Sequence, residues 1–310
     1  MNKFLFNSKD VKNSPSFGGK ANSIISFSSL LYSIPKTFVL ADSAFSLFQE
    51  TNCLKTFQEF LNESLAKGGL IKKKQFDELR QLYESGNLPE DVNIELTDFI
   101  TKQESGSLYA VRSSASCEDG VEKAWAGQFN TFLNVPRSEL KNYVKKCWAS
   151  IFSPGVYYYA KKSENSISDI KMAVVIQEMV PADIAGVCFT KNPITGNDQE
   201  LVIEACRGLG ETLVSGLIVP ESYFVSKKTG EVFSVSKRRQ NKILHHGRGH
   251  SVESHTMQNP NSNLLDKQKI EVLLRVAHDL EELFGTFQDF EWAFSEKQFY
   301  LLQSRPITSI

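Results

Sequence analysis

Two short aromatic-rich runs near the end of the chain, 290–294 and 298–302, close on the polar triplet Ser295-Glu296-Lys297. Apolar runs this short, facing each other across a polar break, predict a β-hairpin with a three-residue loop. With Phe294 paired to Gln298, Glu291 faces Leu301 and Asp289 faces Gln303. Residues of like parity leave one face of such a ribbon, so Glu291, Gln303 and Arg305 project together. Glu291 and Gln303 are then diagonal neighbours, about 7–8 Å apart, a gap that long side chains close. A carboxylate and an amide oxygen on one face suit a small hard cation such as Mg²⁺, which takes oxygen ligands at about 2.0–2.1 Å. A guanidinium beside them suits a phosphate. The same pattern also describes an ordinary hairpin with polar residues on its wet face.

The remainder mixes helices and strands without regular alternation. A helix is expected over 21–31, after the Gly18-Gly19 turn, and a strand over 36–40, with Asp42 or Ser43 capping the next helix. Helical spacing runs over 54–100, broken at 85–87 and at Pro89. Strands are expected over 108–112 and 131–135, then a helix over 139–151 that buries Trp148 and Ile151. The stretches 172–179, 186–190 and 201–205 are β-rich, 223–225 and 232–235 read as a hairpin, and 163–169 as a polar loop. A last helix over 267–284 sets Leu273, Val276, Leu280 and Leu283 on one face. This order predicts an α+β fold rather than a doubly wound sheet.

At 310 residues, 41% hydrophobic and 23% charged, the chain has material for one large domain or two lobes. A net charge of −1 argues against a nucleic-acid binder relying on a basic surface, and the basic stretch at 237–242 reads as a solvated loop edge. Cys53, Cys117, Cys147, Cys188 and Cys206 are odd in number, widely spaced and without a CxxC pair, which fits reduced thiols rather than a disulfide frame or a zinc site. No apolar run approaches the roughly 20 residues of a membrane span, and residues 1–14 lack the apolar segment of a secretory signal. The expectation is a cytoplasmic chain with neither membrane nor nucleic acid as partner.

Several single residues are suited to phosphate chemistry. Lys20 follows two glycines and leads into a helix whose start favours anions; it reads equally as a surface lysine after a turn. The spacing is not that of a P-loop. Arg112 ends a strand before Ser113-Ser114, where its planar guanidinium suits two-pronged phosphate contact or an ion pair with Glu118 or Asp119. Gln177 ends an apolar run, and an extended segment leaving a sheet offers backbone groups to an adenine edge. Glu211, in GLGETLVSG, suits a phosphate-side carboxylate or a helix-capping turn. Trp125 and Phe129 read as core or loop anchors. His245, His246, His250 and His255 have no regular metal spacing, and His278 falls on the last helix.

Six blocks in order resemble the ATP-binding domain of the phosphoenolpyruvate synthase, pyruvate phosphate dikinase and rifampicin phosphotransferase family. They are GGK with IPKTFVLADSAF, VRSSASCEDG with AGQFNTFLNV, VVIQEMVPADIAGVCFTKNPITG, GLGETLVSG, QDFEW and LLQSRPIT. The resemblance implies an ATP-grasp-like fold of two lobes, 1–175 and 176–310, enclosing a nucleotide cleft. It implies ATP and Mg²⁺ as cofactors, with Lys20, Arg112 and Arg305 as the catalytic cations. Gly127, Thr131 and Gln177 would contact the nucleotide, and Glu291 and Gln303 would hold the metal. Asp289 would assist a second metal or cap its strand. Glu178 stands where the family often has a basic residue, which leaves the detail of the adenine hinge open.

Full-length relatives pass a phosphoryl group to a histidine on a swivelling domain, leaving AMP and phosphate. No TSH-type histidine motif occurs in these residues. The resemblance therefore implies an ATP-handling component working with a histidine-bearing domain or subunit in trans. The alternatives are a stand-alone ATP-grasp kinase or ligase acting on a small molecule, and a non-catalytic ATP-sensing module.

Overall fold

The computed structural model describes residues 3–67, 71–117, 129–163, 166–214, 216–236 and 263–307. Gly127, Trp125, the basic stretch at 237–242 and four of the five histidines (His245, His246, His250 and His255) lie outside the described residues. The chain forms two compact units, residues 1–25 with 36–178 and residues 26–35 with 179–310. The chain thus passes from one unit to the other three residues beyond the expected 175/176 boundary, and a short early segment belongs with the later half.

The first unit is built on a five-stranded antiparallel sheet. Its strands are β1 (Leu5–Asn7), β2 (Thr37–Leu40), β3 (Leu108–Ala115), β4 (Thr131–Pro136) and β5 (Met172–Glu178), in the order β1-β2-β5-β3-β4. Alternation along the strands decides what each face carries. Tyr109, Val111 and Ala115 of β3 and Met172, Val174 and Ile176 of β5 enter one apolar core. The residues between them, Ala110, Arg112 and Ser114 with Val175 and Gln177, leave by the opposite face.

The core side is covered by α2 (Asp42–Thr51), α3 (Lys55–Ala66), α4 (Lys73–Ser85), α5 (Glu90–Lys102), α6 (Leu140–Ala149) and α7 (Pro154–Ser163). Asp42 is the first residue of α2 rather than its cap, a place Ala41 takes. Phe45, Phe48, Tyr83, Trp148 and Phe152 pack ring against ring, with centroids 4.8 Å apart for Phe48 and Trp148 and 4.6 Å for Tyr83 and Phe152. Each such burial is worth about 1.5–3 kcal/mol. Two glutamines reaching into this core are partnered: Gln49 donates to Tyr83 and Gln58, and Gln58 donates to the carbonyls of Ile167 and Ile170. The helix α7 and the strand β1 go beyond the expectation, which had no element at either place.

The second unit is a six-stranded antiparallel sheet of β6 (Ile184–Phe189), β7 (Glu200–Arg207), β8 (Glu221–Ser226), β9 (Val232–Ser236), β10 (Gln288–Ser295) and β11 (Gln298–Pro306), in the order β11-β10-β6-β7-β8-β9. The short α8 (Glu211–Val214) follows β7, and α9 (Lys267–Phe284) precedes β10. Asp266 caps α9 by accepting from the Lys269 amide, and Gly285 at φ 66 ends it. Leu273, Val276 and Leu280 are buried as expected, whereas Leu283, in the last turn, is 38% exposed. Gly186 of β6 lies opposite Trp292 of β10, and a Cβ there would meet the Glu204 carbonyl oxygen at 1.9 Å and the indole at 2.6 Å. Segment 26–35 docks on the hairpin: Leu301 donates its amide to the Ser33 carbonyl, and Tyr32 packs on Phe299 and donates to Asp279. Both sheets are antiparallel throughout, so the fold class is α+β as expected.

Candidate functional site

In the first unit, several of the candidate residues gather on the sheet face opposite to the one that α2 to α7 cover. Arg112 on β3 lies directly opposite Thr131 on β4, and Gln177 on β5 is its diagonal neighbour through the Arg112–Val175 and Ala110–Gln177 pairs. Arg112 is only 7% exposed, and Thr131 is exposed at the strand's start. Gln177 is buried and donates its amide to the Thr37 hydroxyl at 3.1 Å, with Thr37 directly across on β2. At the strand's end the Glu178 amide bonds the Lys36 carbonyl at 2.8 Å. That backbone N–H is therefore engaged within the sheet.

Lys20 arrives from a distant part of the sequence. The helix α1 (Gly18–Phe27) begins at a glycine with φ 66, and a Cβ there would lie 2.3 Å from the Ser114 carbonyl oxygen. Only glycine tolerates both the torsion and the approach. Ser114, wholly buried, donates its hydroxyl to the Phe17 carbonyl at 2.8 Å and accepts the Ala21 amide at 3.1 Å. Lys20 Nζ donates to the Ser113 carbonyl at 3.0 Å, one residue along the strand from Arg112. The Ser113 side chain turns the other way, to the Ser150 hydroxyl and the Cys147 carbonyl on the core side. Burial pushes the Cys147 thiol up to about 12, with Ser113 and the Lys20 charge pulling it down.

In the second unit, the hairpin forms with a register different from the expected one. Glu296 and Lys297 alone make the turn, at φ 48 and 72, so Ser295 pairs with Gln298 rather than Phe294 with Gln298. Two residues at positive φ are what a tight hairpin needs to match the twist of its strands. Carried through regularly, this register would send Glu291 and Gln303 to opposite faces. A β-bulge intervenes, leaving Leu302 as the extra residue between the Trp292–Leu301 and Glu291–Gln303 pairs. Glu291 and Gln303 thus become directly opposed, closer than the diagonal arrangement first expected.

Asp289 lies opposite Arg305 on the same face, and Arg305 Nε donates to both carboxylate oxygens at 2.8 Å. The carboxylate side chain is 13% exposed and the guanidinium 49%. Burial pushes the Asp289 carboxyl up to about 6, against the pull of Arg305, and the Glu291 charge adds to the rise. Asp289 is therefore a partner of Arg305, a role the sequence reading did not assign to it. Glu204 on β7 shares this face, across Val187 from Glu291. Burial raises both Glu204 and Glu211, the latter at the start of α8.

Among the described residues, no three histidine, cysteine, aspartate or glutamate side chains converge as a metal cluster. Glu291 and Gln303 supply one carboxylate and one amide oxygen, which fits Mg²⁺, an ion that completes its shell with water and phosphate oxygens. His278 is exposed on α9, and no helix among the described residues is long and apolar enough to cross a membrane.

Comparison with known proteins adds a family and its relatives. Residues 14–310 match the model of the pyruvate phosphate dikinase AMP/ATP-binding domain. A probable phosphoenolpyruvate synthase of Methanocaldococcus jannaschii is 34% identical over 94% of this chain and 25% of its own. A rifampicin phosphotransferase of Bacillus cereus is 31% identical over all of this chain and 36% of its own. The chain therefore spans about a quarter to a third of the length of these relatives. Among solved structures, a D-alanine-D-alanine ligase from Helicobacter pylori overlaps 69% of this chain and 46% of its own, at 10% identity and a TM-score of 0.30.

Proposed function

The chain belongs to the family of the pyruvate phosphate dikinase AMP/ATP-binding domain, and we propose from that premise that it is the ATP-handling component of a phosphoenolpyruvate synthase-like phosphotransferase. It is of ATP-grasp-like fold and binds Mg-ATP. It donates a phosphoryl group to a histidine on a separate domain or subunit. Overall, ATP, water and the histidine give phosphohistidine, AMP and inorganic phosphate. The single observation that carries the reading is the direct opposition of Glu291 and Gln303, with Asp289 and Arg305 beside them on one face of the hairpin.

Lys20, Arg112 and Arg305 neutralise phosphate charge, which in phosphoryl transfer is the greater part of what a protein supplies. Glu291 and Gln303 hold Mg²⁺, whose contribution when bound is to neutralise and orient phosphate oxygens. Thr131 and Gln177, together with Gly127, position the nucleotide. Support comes from the shared sheet face of Arg112, Thr131 and Gln177 and from the fixed approach of Lys20 to the same strand.

The test is calorimetry with Mg-ATP followed by ³¹P NMR of the products in the presence of a histidine-bearing partner. The chain binds Mg-ATP, Glu291→Ala weakens binding roughly a hundredfold, and the partner yields AMP and phosphate. Absence of binding overturns the reading. Rapid ADP formation on a small molecule with no partner replaces it with a self-contained kinase.

A further inference from the structure

We propose that Ser114 is a positioning residue for Lys20, locking the first turn of α1 to β3 so that the ammonium is delivered at one place beside the Arg112 strand. The inference rests on the reading of Lys20 as a phosphate ligand. It goes beyond it by naming what holds that lysine still.

A lysine has a four-carbon stem and three donors on a rotating head, so its placement is only as good as the backbone beneath it. Here that backbone is held on both sides of Lys20. On one side the Ser114 hydroxyl donates to the Phe17 carbonyl, and on the other it accepts the Ala21 amide. The Ser114 carbonyl meanwhile fills the place a Gly18 side chain would need, which brings the turn into backbone contact with the strand. The far end of Lys20 returns to the neighbouring carbonyl, that of Ser113. Both ends of the lysine are therefore referred to the same two residues of β3.

An alanine at 114 would nearly fill the space but would remove the hydroxyl that ties the buried Phe17 carbonyl and Ala21 amide to β3, leaving the first turn of α1 without that anchor. The turn would then shift, and the ammonium with it. Losses of order tenfold or more follow from displacements of about 1 Å in such groups.

The decisive measurement compares ATP with AMP, because AMP lacks the phosphates that distinguish a placed lysine from a displaced one. With Ser114→Ala, ATP binding is expected to weaken roughly tenfold while AMP binding stays within about twofold. Lys20→Ala should erase the same preference for ATP, and the double variant should lose no more than Lys20→Ala alone. If Lys20→Ala narrows the ATP/AMP ratio but Ser114→Ala leaves it at the wild-type value, the positioning role is wrong and the phosphate role stands. If Lys20→Ala itself leaves the ratio unchanged, the phosphate role of Lys20 fails, and the inference with it. Should Ser114→Ala not fold, amide exchange in the unaltered chain decides. A slowly exchanging Ala21 amide supports the lock, and one exchanging at the rate of an open helix start overturns it.

Discussion

The cationic residues of the first unit and the oxygen donors of the second are held by opposite means. Lys20 meets β3 across 93 positions of sequence, and the Phe17 contact with Ser114 spans 97. Glu291 and Gln303 belong to one hairpin, and their alignment depends on a two-residue turn and one bulge. The first arrangement is secured by tertiary contacts between groups far apart in sequence, so it is costly to form and depends on each of those contacts. The second is cheap to assemble but has a single register on which everything depends. A hairpin alone is marginal in water, so its register must also be fixed by what lies beneath it, and here that is β6.

The hairpin is therefore most vulnerable at its seat on β6. Gly186→Ala would drive a methyl group into the Glu204 backbone and the Trp292 ring at once. Neither neighbour is the loose end of a flexible side chain, so β6 must part from β7 or β10. The expected loss is about 3 kcal/mol of unfolding free energy, read from the urea midpoint of the second unit's transition, with Mg-ATP affinity falling alongside it. A variant as stable as the wild type would mean that the hairpin holds its register without β6.

What could be read from the sequence follows the same division. The hairpin and the helix α9 (Lys267–Phe284) are local patterns, and they were legible as such. The register was not. Ser295-Glu296-Lys297 contains no Asn-Gly or Asp-Gly signal to mark a tight turn, and the bulge at Leu302 answers to twist and packing rather than to a residue type. In the first unit the candidate residues were legible one at a time, and Lys20 alone reads as a surface lysine. What joins it to Arg112 is the Gly18–Ser114 approach, and no periodicity connects positions so far apart. The same holds for Thr37 and Gln177, brought together by strand pairing over 140 positions. The strand β1 was missed because three residues are too few to show alternation.

Reliance on distant contacts can be sharpened by a second case in the first unit. Glu95 on α5 accepts the backbone amides of Lys3, Phe4 and Leu5 at 2.7–3.0 Å, holding the start of the chain from 90 or more positions away. Glu95→Ala removes the acceptor of these three amides, of which the Lys3 bond is exposed and the Phe4 and Leu5 bonds are part-buried, so the expected cost is about 1–2 kcal/mol. The loss should show in the first unit's denaturation midpoint and in faster exchange of the Phe4 and Leu5 amides. Nucleotide affinity should stay at the wild-type value, because β1 lies at the edge of the sheet farthest from β4.

The smallest expected effect tests the turn by itself. Glu296 and Lys297 adopt left-handed torsions that neither side chain favours. A contact the turn backbone makes, the Glu296 amide to the Asp183 carboxylate at 2.9 Å, does not depend on the glutamate side chain. Replacing the pair by Asn-Gly supplies the residues such a turn prefers and keeps that amide. The gain is limited by the extra freedom glycine gives the unfolded chain. The net stabilisation should be about 0.5 kcal/mol, seen as a higher urea midpoint at unchanged slope. Mg-ATP affinity should not move, since the bulge at Leu302 and the Glu291–Gln303 pair lie beyond the turn. If affinity changes while stability does not, the register of the Glu291–Gln303 pair is set at the tip of the hairpin rather than at its seat.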